Sequence, residues 1–548
     1  MRETATLRSL HDLPPHTVRL TLVGLFLGLL LAALDNTVVG TAMPRVVADL
    51  GGFERYALVA TAYMVTGTVV GPIVGRLSDL YGRKKYYLGG IGLFLVGSAL
   101  CGASPSMDWL ILARAFQGIG AGVMQTMAFT VVGDLFPPAQ RGRAQGATAG
   151  AFGLSSLVGP MVGGYITDHW SWRWVFYINL PLGLLALVAL ALFFPPLRPH
   201  RPHRGIDYAG AGVFILAVGP LLLALSWGGT VYPWLSAPVL GLLVLAVLAA
   251  LLFIQIERRA PEPLLPLGLF RHRIIGNALL VMALTAGGFF GTALFVPLFL
   301  QGVLGASATE SGQMMTPTML AFVGGALLAG QTITRTGRYK LQAVGGLALA
   351  VSGMLAFATL GPETPRWLVV ADLVWTGLGM GMTMPTFTII VQNALPYEYL
   401  GVGTATAQFA RALGGTVGSA LFGTLVANRF QPAFLAALPP ALQASLPADR
   451  LARLSNPRAL FLGGEGGVAL GSALAPFGQI PAEAAAQVHQ ALRAGLAGAL
   501  HDAFFLGGLV MALALVAVLF IPEVPLRRSH HTAPPSVSVA PARSERGG

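Results

Sequence analysis

The sequence predicts an all-α integral membrane protein made of two six-helix bundles, with a further two-helix hairpin inserted between them. Three observations predict this fold class: the composition, fourteen long apolar segments and an internal repeat. Apolar residues form 55% of the 548-residue chain and charged residues only 10%, and the mean hydropathy is +0.70. A soluble chain could not solvate that much apolar surface, so the composition is typical of proteins that cross a membrane many times.

Fourteen segments are long and apolar enough to cross a bilayer, which takes roughly 20 residues in a helix. They are 20–42, 57–76, 86–103, 109–133, 145–167, 174–194, 209–228, 236–256, 273–300, 312–334, 342–360, 366–389, 403–427 and 501–522. Because this number is even, both termini are predicted to lie on the same side of the membrane.

The distribution of basic residues predicts which side that is, since cytoplasmic loops are enriched in Arg and Lys. If the N-terminus is cytoplasmic, the cytoplasmic segments contain 23 Arg and Lys residues. The short outer loops then contain only Arg45, Arg55, Arg173 and Arg366. Both termini are therefore predicted to be cytoplasmic. The net charge of +12 does not indicate nucleic-acid binding, because the basic residues are spread through the loops.

Two pairs of similar segments indicate an internal duplication. The charged turn Gly75–Lys85 returns in weaker form at Gly330–Lys340, an offset of 330 − 75 = 255 residues. Phe136–Gly142 is similar to Leu395–Gly401, an offset of 395 − 136 = 259 residues. The two offsets nearly agree, which favours a single duplication of a six-span unit.

The duplication accounts for twelve spans and leaves 209–228 and 236–256 as an inserted hairpin. The predicted regions are a cytoplasmic N-terminus at 1–19, an N-terminal bundle at 20–194, a cytoplasmic linker with the hairpin at 195–272, a C-terminal bundle at 273–522 with an outer insertion at 428–500, and a disordered cytoplasmic tail at 523–548.

The first charged turn predicts a latch that closes the cytoplasmic side while the outer side is open. Asp79 lies near a helix end, four residues before Arg83, where a carboxylate can pair with cations or helix dipoles of the neighbouring bundle. An ordinary positive loop would explain the basic residues but not the carboxylate. The second copy has Thr334 in place of Asp79, so the latch is predicted to be asymmetric. The latch residues are Gly75, Asp79, Gly82, Arg83 and Lys84.

The fifth span contains Gly159, Pro160, Gly163 and Gly164. Small residues on one helix face permit close helix packing, and proline removes a backbone donor and bends the helix. These four residues are predicted to form a hinge or seal between the halves. Plain close packing is the alternative.

Ionisable residues inside a membrane are costly and are therefore candidates for function. Asp35 in the first span and Arg114 in the fourth are predicted to lie at similar depth in one half. Asp35 is the candidate proton carrier, and a static salt bridge with Arg114 is the alternative. Asp372 is a second, weaker acidic candidate. Arg411 is predicted either to contact an anionic group or a carbonyl cluster, or to have a structural role.

Five motifs in order along the chain resemble the major facilitator superfamily, and in particular its fourteen-span drug:proton antiporter subfamily of the multidrug efflux type. They are Leu34–Val39, Gly75–Lys85, Arg114–Gly120, Gly153–Gly164 and Trp172–Gly183.

The resemblance implies a proton-coupled antiporter that exports amphipathic or cationic small molecules by alternating access. It implies that the proton gradient is the energy source and that no cofactor or metal is needed. It also implies a monomer in a bacterial cytoplasmic (inner) membrane. The implied partners are small molecules or lipids, protons and the bilayer, and not nucleic acid. The predicted substrate cavity is lined by Asn36, Gln117, Gln125, Asn179, Phe289, Gln301, Gln408 and Arg411.

Two alternative functions remain open. The outer insertion 428–500, with a helix from Pro481 that can run into the last span and a short helix at Asp449–Leu454, favours a lipid or glycolipid exporter of the same fold. A non-transporting receptor or scaffold is the more remote alternative. An enzyme is not predicted, because the sequence contains no recognisable nucleophile–base or metal-ligand pattern, and no phosphate-binding G-x-x-x-x-G-K-[ST] motif indicates direct use of ATP.

Overall fold

The structure is a computed structural model, and it describes residues 14–51, 55–195, 207–229, 231–445 and 482–527. Fourteen helical stretches in this part of the chain are long and apolar enough to cross a membrane. The predicted all-α, fourteen-span architecture is thus confirmed. The predicted disordered tail, the basic linker before the hairpin and the short helix at Asp449–Leu454 lie largely or wholly outside the described residues.

The N-terminal half contains seven helices, of which the short α6 and α7 together form the sixth span. They are α1 (Pro15–Leu50), α2 (Tyr56–Tyr81), α3 (Arg83–Gly102), α4 (Met107–Leu135), α5 (Arg141–His169), α6 (Trp174–Tyr177) and α7 (Asn179–Phe193). Helix α4 packs against α2 and α3, while α1 packs against α5 and α7. The long apolar runs explain the helices, because only internal hydrogen bonding satisfies the backbone inside a bilayer.

Two helices, α8 (Tyr208–Trp227) and α9 (Ala237–Arg259), form the inserted hairpin. They pack against each other, and α8 also packs against α2. The hydroxyl groups of Thr61 and Ser226 are hydrogen bonded at 2.9 Å across that contact. The hairpin therefore lies on the outside of the bundle, where α8 contacts α2 of the N-terminal half and also α16 of the C-terminal half.

The C-terminal half repeats the arrangement of the N-terminal half. Its helices are α10 (Gly268–Arg271), α11 (Arg273–Ala293), α12 (Val296–Leu298), α13 (Ala308–Thr336), α14 (Lys340–Ala358), α15 (Arg366–Ala394), α16 (Leu400–Ala437), α17 (Pro440–Ser445) and α18 (Ala482–Leu519). A short π-helical segment at Phe299–Val303 follows α12. Helix α15 packs against α13 and α14, and α11 packs against α16 and α18.

Helix ends reproduce the two sequence offsets. Helices α2 and α13 end at Tyr81 and Thr336, and 336 − 81 = 255. Helices α5 and α16 begin at Arg141 and Leu400, and 400 − 141 = 259. The duplication predicted from the motifs is therefore also a duplication of helix boundaries.

Several helices extend beyond the predicted spans, because hydropathy marks the apolar stretch and not the ends of the hydrogen-bonded helix. Residues 428–437 and 482–500 of the predicted outer insertion continue α16 and α18, which have 38 residues each. Two predicted spans are interrupted, the sixth at Ile178 and the ninth after Ala293.

We call the end of the bundle where α2 is followed by α3, and α13 by α14, the basic end. It carries Arg76, Arg83 and Lys84 of the first turn and Arg338 and Lys340 of its repeat. The other end is called the opposite end.

Candidate functional site

Asp35 lies fully buried inside the N-terminal half, where it accepts three hydrogen bonds. Arg114 Nη1 donates to Asp35 Oδ2 at 2.5 Å. Gln117 Nε2 and Asn179 Nδ2 donate to Asp35 Oδ1 at 3.0 and 2.8 Å. Helices α1, α4 and α7 thus each contribute to one polar cluster. All three of these partners are donors, which matches an ionised carboxylate, since a protonated acid would need an acceptor for its own proton.

The Arg114 guanidinium is enclosed by further groups of the same half. Its carbon lies 3.9 Å from the ring centroid of Tyr63, a cation–π contact, and its Nη1 donates to Gln117 Oε1 at 2.8 Å. The Tyr63 hydroxyl donates to the Ala32 carbonyl at 3.2 Å. Such an enclosed ion pair is costly to break, because either charge would be left buried without its partner.

Asp79 connects the two halves at the basic end. Its carboxylate accepts the backbone N–H groups of Gly401 at 2.9 Å and Val402 at 2.8 Å, at the start of α16. It also forms an ion pair with Arg83, whose Nε donates to Asp134 Oδ2 at 2.8 Å. A carboxylate at a helix N-terminus is favoured both by the free amide groups and by the helix dipole.

Glycines allow this contact to form. A methyl group on Gly75 would lie 2.5 Å from Ala405 Cβ and 2.9 Å from the Gly401 carbonyl oxygen. Gly82 has φ +92°, a conformation that side chains other than glycine rarely adopt, and it separates α2 from α3. Gly75 therefore permits the close approach of α2 to α16, and Gly82 permits the turn between α2 and α3.

The second copy of the turn makes a different contact. Thr334 lies opposite Gly142, as Asp79 lies opposite Gly401, and both pairs obey the sequence offsets (334 − 79 = 255 and 401 − 142 = 259). However, the Thr334 hydroxyl donates to the Gly330 carbonyl of its own helix at 2.8 Å. The side chain therefore supplies no charge to the start of α5.

Lys84 lies away from the contact between the halves, contrary to its assignment to the latch. Its Nζ donates to the carbonyl oxygens of Ala191 at 2.7 Å and Phe194 at 2.8 Å, at the end of α7. Lys340 in the repeat donates to the Leu519 carbonyl at the end of α18. Both lysines complete a helix C-terminus within their own half, where cations are favourable.

The fifth-span motif packs α5 against α1 rather than against the other half. A methyl group on Gly159 would overlap Thr37, and one on Gly163 would overlap Thr41. Gly164 has open space around it, and Pro160 is exposed within the unbroken helix α5. The four residues therefore form no seal between the halves in this structure.

A different row of glycines on α5 forms that contact. Gly142, Gly146, Gly150 and Gly153 face α13, and Gly142 meets the backbone of Gly330 so closely that a methyl group on either would overlap it. The row was visible in the sequence as small residues three to four positions apart, a spacing that permits close helix approach.

A carboxy-terminal segment that follows α18 adds another connection at the basic end. Arg527 donates through Nη2 to the carbonyl oxygens of Gln392 at 3.2 Å and Leu395 at 2.7 Å, at the end of α15. Its own carbonyl oxygen accepts the backbone N–H of Ala139, from the N-terminal half, at 3.2 Å. Burial lowers the pKa of the Arg527 guanidinium from its ordinary value. Sequence analysis missed this role, because Arg527 was assigned to the tail.

The C-terminal half contains a cavity with about 390 Å³ of empty space, part of it open to solvent. Its wall is formed by Met282, Thr285, Ala286, Phe290, Phe322, Met380, Thr383, Met384, Phe387 and Arg411. Arg411 was a predicted cavity residue. Phe289 was also predicted, but its neighbour Phe290 lines this cavity, because consecutive helix residues point about 100° apart.

The other predicted cavity residues are distributed over both halves. Gln117 and Asn179 belong to the Asp35 cluster. Asn36 is exposed on α1 and Gln125 is half-buried on α4, whereas Gln301 lies in the π-helical segment and Gln408 is buried on α16. The structure therefore does not bring the eight residues together around one cavity.

Asp372, the second acidic candidate, is buried in α15. Its Oδ2 atom has no hydrogen-bond partner within the described part of the chain. It lies about two turns before Met380 on α15 of the C-terminal half, whereas the Asp35 cluster is formed by helices of the N-terminal half.

Comparison with known proteins identifies the family. The model of the Major Facilitator Superfamily matches residues 25–207 and 204–419. Multidrug transporter protein MdtP of Bacillus subtilis is 38% identical over 511 residues, covering 92% of this chain and 93% of that protein. Multidrug resistance protein 3 of the same organism is 39% identical over 415 residues, covering 76% and 80%.

Solved structures share the fold. The human organic anion transporter MFSD10 (TETRAN) aligns with a TM-score of 0.61 at 17% identity, over 92% of this chain and all of the other. The proton:xylose symporter XylE aligns with a TM-score of 0.57 at 15% identity, over 93% and 96%. The chain therefore belongs to the Major Facilitator Superfamily and is a multi-pass membrane transporter rather than an enzyme.

Proposed function

We propose that this transporter is a proton-coupled antiporter that exports amphipathic or cationic small molecules from the cytoplasm by alternating access. The observation that carries the proposal is the buried ion pair of Asp35 and Arg114 inside the N-terminal half. An intramembrane carboxylate with a removable counter-charge is a suitable proton carrier. The similarity to two Bacillus subtilis multidrug proteins supports the substrate class.

Protonation of Asp35 would start the conformational change. A proton on the carboxylate removes its negative charge and weakens the hydrogen bonds from Arg114, Gln117 and Asn179. Arg114 then lacks its counter-charge, and α1, α4 and α7 lose the polar cluster that connects them. The protonated and ionised forms would therefore favour different arrangements of these helices, as coupling requires.

We further propose that the basic end faces the cytoplasm, so that this structure corresponds to an outward-facing state. Gly401 and Val402 donate backbone N–H groups to Asp79, Ala139 donates to the Arg527 carbonyl and Gln392 donates to the Phe129 carbonyl. These hydrogen bonds between the halves all lie near the basic end. The excess of Arg and Lys at this end supports the orientation. Opening of the Asp79 contact would be required to expose the cavity to the cytoplasm.

The setting that we propose is the cytoplasmic membrane of a bacterium, with a monomer driven by the proton gradient. Relatives from Bacillus subtilis and Mycobacterium tuberculosis support a bacterial plasma membrane, although others occur in fungi such as Penicillium citrinum.

The test is proton movement in everted membrane vesicles that contain the wild type or Asp35→Asn. Addition of a cationic dye to energised wild-type vesicles should release protons, and Asp35→Asn should abolish the release. Asp49→Asn is a matched control on the same helix, because Asp49 is exposed and pairs with Arg173 at 2.8 Å. It should keep the wild-type response. Unchanged proton release in Asp35→Asn would contradict the proposed proton carrier.

A lipid exporter is the second candidate, favoured by the lengths of α16 and α18. Each has 38 residues, about 57 Å, whereas the hydrocarbon core is about 30 Å thick. Phe430 and Phe434 are buried in the outer part of α16, and Gly495 of α18 lies against Phe434. Mass spectrometry of purified protein tests this candidate: one lipid class retained in stoichiometric amount would favour it over small-molecule export.

A further inference from the structure

We propose that the cavity in the C-terminal half binds the anionic head group of an amphiphilic substrate, of the sulfonate, carboxylate or phosphate class, through Arg411. The inference rests on the proposed export function and narrows its substrate class. It is carried by three features of the described residues: an uncompensated guanidinium, an unpartnered hydroxyl group in the wall of the same cavity, and the apolar remainder of that wall.

Arg411 has no carboxylate partner in the described part of the chain. Its Nη1 donates to the Met384 sulfur at 3.5 Å, which is a weak acceptor. Arg411 is half-buried. The fully buried arginines are satisfied differently: Arg76, Arg83 and Arg114 pair with carboxylates, and Arg141 donates to the Gly133 and Phe136 carbonyl oxygens. A guanidinium without such partners, at the wall of a cavity, is positioned to bind an anion.

A second donor lies in the same cavity wall. The Thr285 hydroxyl is 5% exposed and has no hydrogen-bond partner among the described residues. The Thr383 hydroxyl, in contrast, donates to the Met380 carbonyl at 2.8 Å. Because a buried hydroxyl without a partner costs free energy, Thr285 would be stabilised by donating a hydrogen bond to an anionic oxygen held by Arg411.

The rest of the cavity wall fits an apolar tail or ring system. Met282, Met380 and Met384 are flexible and polarisable, and Phe290, Phe322 and Phe387 present aromatic surface. The site therefore combines one cation and one hydroxyl with a large adaptable apolar surface. That combination suits amphiphilic anions with varied apolar parts.

The charges elsewhere do not cancel the charge of Arg411. Asp35 is already paired with Arg114 in the other half. Asp372 precedes Met384 by twelve residues on α15, a rise of about 18 Å. A cationic head group in this cavity would face an unneutralised arginine in a medium of low dielectric constant, where repulsion is strong.

The test compares two ligands that share one naphthalene ring, a fluorescent naphthalene sulfonate and a naphthyl trimethylammonium. Binding is measured by fluorescence or equilibrium dialysis with the purified full chain in nanodiscs, without a proton gradient. The wild type should bind the sulfonate about 10-fold or more tightly than the ammonium compound. Arg411→Gln should weaken sulfonate binding by about 10- to 100-fold, because a charged hydrogen-bonding partner is lost. Arg411→Lys should retain part of the sulfonate affinity that Arg411→Gln loses.

A control variant on the same helix removes an arginine outside the cavity. Arg429 is exposed and pairs with Asp502 at 3.2 Å, so Arg429→Gln should leave sulfonate binding unchanged. If Arg411→Gln fails to fold, the wild type still tests the proposal. Phenylglyoxal, which modifies arginine, should react with Arg411 more slowly in the presence of the sulfonate, as read by peptide mass spectrometry.

Equal binding of the two ligands by the wild type would overturn the proposal. Unchanged sulfonate affinity in Arg411→Gln would also overturn it, as would a rate of phenylglyoxal modification of Arg411 that the sulfonate does not reduce. These results are independent of proton coupling, because no gradient is present. A chain that binds the sulfonate through Arg411 but releases no protons when either the sulfonate or the cationic dye is added to energised vesicles would contradict the proposed antiport alone. A chain that couples dye export to protons but ignores the sulfonate would contradict this inference alone.

Discussion

Asp79 accepts the backbone N–H of Val402 at 2.8 Å, across 323 residues of sequence and between the two halves of the transporter. The same carboxylate accepts the N–H of Gly401 and pairs with Arg83. The Asp79 side chain thus caps a helix of the C-terminal half while it forms an ion pair with Arg83 of its own half. This contact is a specific target for testing how the basic end is closed.

Asp79→Asn should loosen the contact at the basic end. The amide keeps one acceptor but loses the negative charge, and loss of charged hydrogen bonds costs about 1.5–3 kcal/mol each. We expect faster hydrogen–deuterium exchange in the first two turns of α16, from Leu400 to Thr406, and reduced transport. Asp108→Asn, which alters an exposed ion pair with Arg55, should leave that exchange unchanged. Equal protection of α16 in wild type and Asp79→Asn would exclude a latch at this position.

Gly330→Val should prevent close approach of α13 and α5. The added side chain would overlap the Gly142 backbone, and overpacking typically costs about 1–3 kcal/mol. We expect lower transport and faster exchange at the start of α5. Gly324→Val on the same helix is the matched control, since a methyl group at Gly324 has open space. The prediction fails if both valine variants behave alike.

Arg527→Ala should release the carboxy-terminal segment from the end of α15. The variant loses the hydrogen bonds from the guanidinium to the Gln392 and Leu395 carbonyl oxygens and leaves those carbonyls without these donors. We expect a lower melting temperature and faster exchange in the turn between α15 and α16. Glu523→Ala, at an exposed position in the same segment, should have little effect. A melting temperature equal to that of the wild type would show that the segment contributes nothing to closure.

Asp372→Asn should stabilise the protein in a pH-dependent manner. An ionised buried carboxylate without a donor or cation costs free energy, whereas its protonated form costs less. The asparagine variant should therefore melt at a higher temperature than the wild type at pH 8, and the difference should shrink at pH 5. Asp49→Asn removes a paired, exposed carboxylate and should not raise the melting temperature at pH 8. A destabilised variant at pH 8 would instead mean that Asp372 has a partner that the asparagine cannot replace.

The sequence was sufficient to predict the spans and the duplication because both depend on local patterns. Apolar length identifies a membrane helix, and the glycines and charges of Gly75–Lys85 recur at a fixed offset in the second half. The similar depth of Asp35 and Arg114 also followed from helix direction and rise per residue, and the two residues are in direct contact.

The remaining features depend on the direction in which each side chain points around its helix axis and on contacts between residues far apart in the sequence. A hydropathy pattern predicts neither. Gly159 and Gly163 face α1, whereas the neighbouring glycine row at Gly142–Gly153 faces α13. Lys84 differs from Arg83 by one position, yet it points to the end of α7. Arg527 binds the turn after α15 only because the chain folds back there, and no local pattern indicates that contact.

The inserted hairpin makes the two sides of the transporter unequal. Helix α8 packs against both α2 and α16, and Phe214 of α8 lies 5.5 Å from Phe409 of α16, measured between ring centroids. The seam between α2 and α16 is therefore covered by α8, whereas neither helix of the hairpin makes a comparable contact with α5 or α13 in the described part of the chain. A hydrophobic molecule that leaves the bilayer sideways would meet one blocked route and one unblocked route, so the approximate twofold symmetry of the bundle does not extend to its lateral entrances.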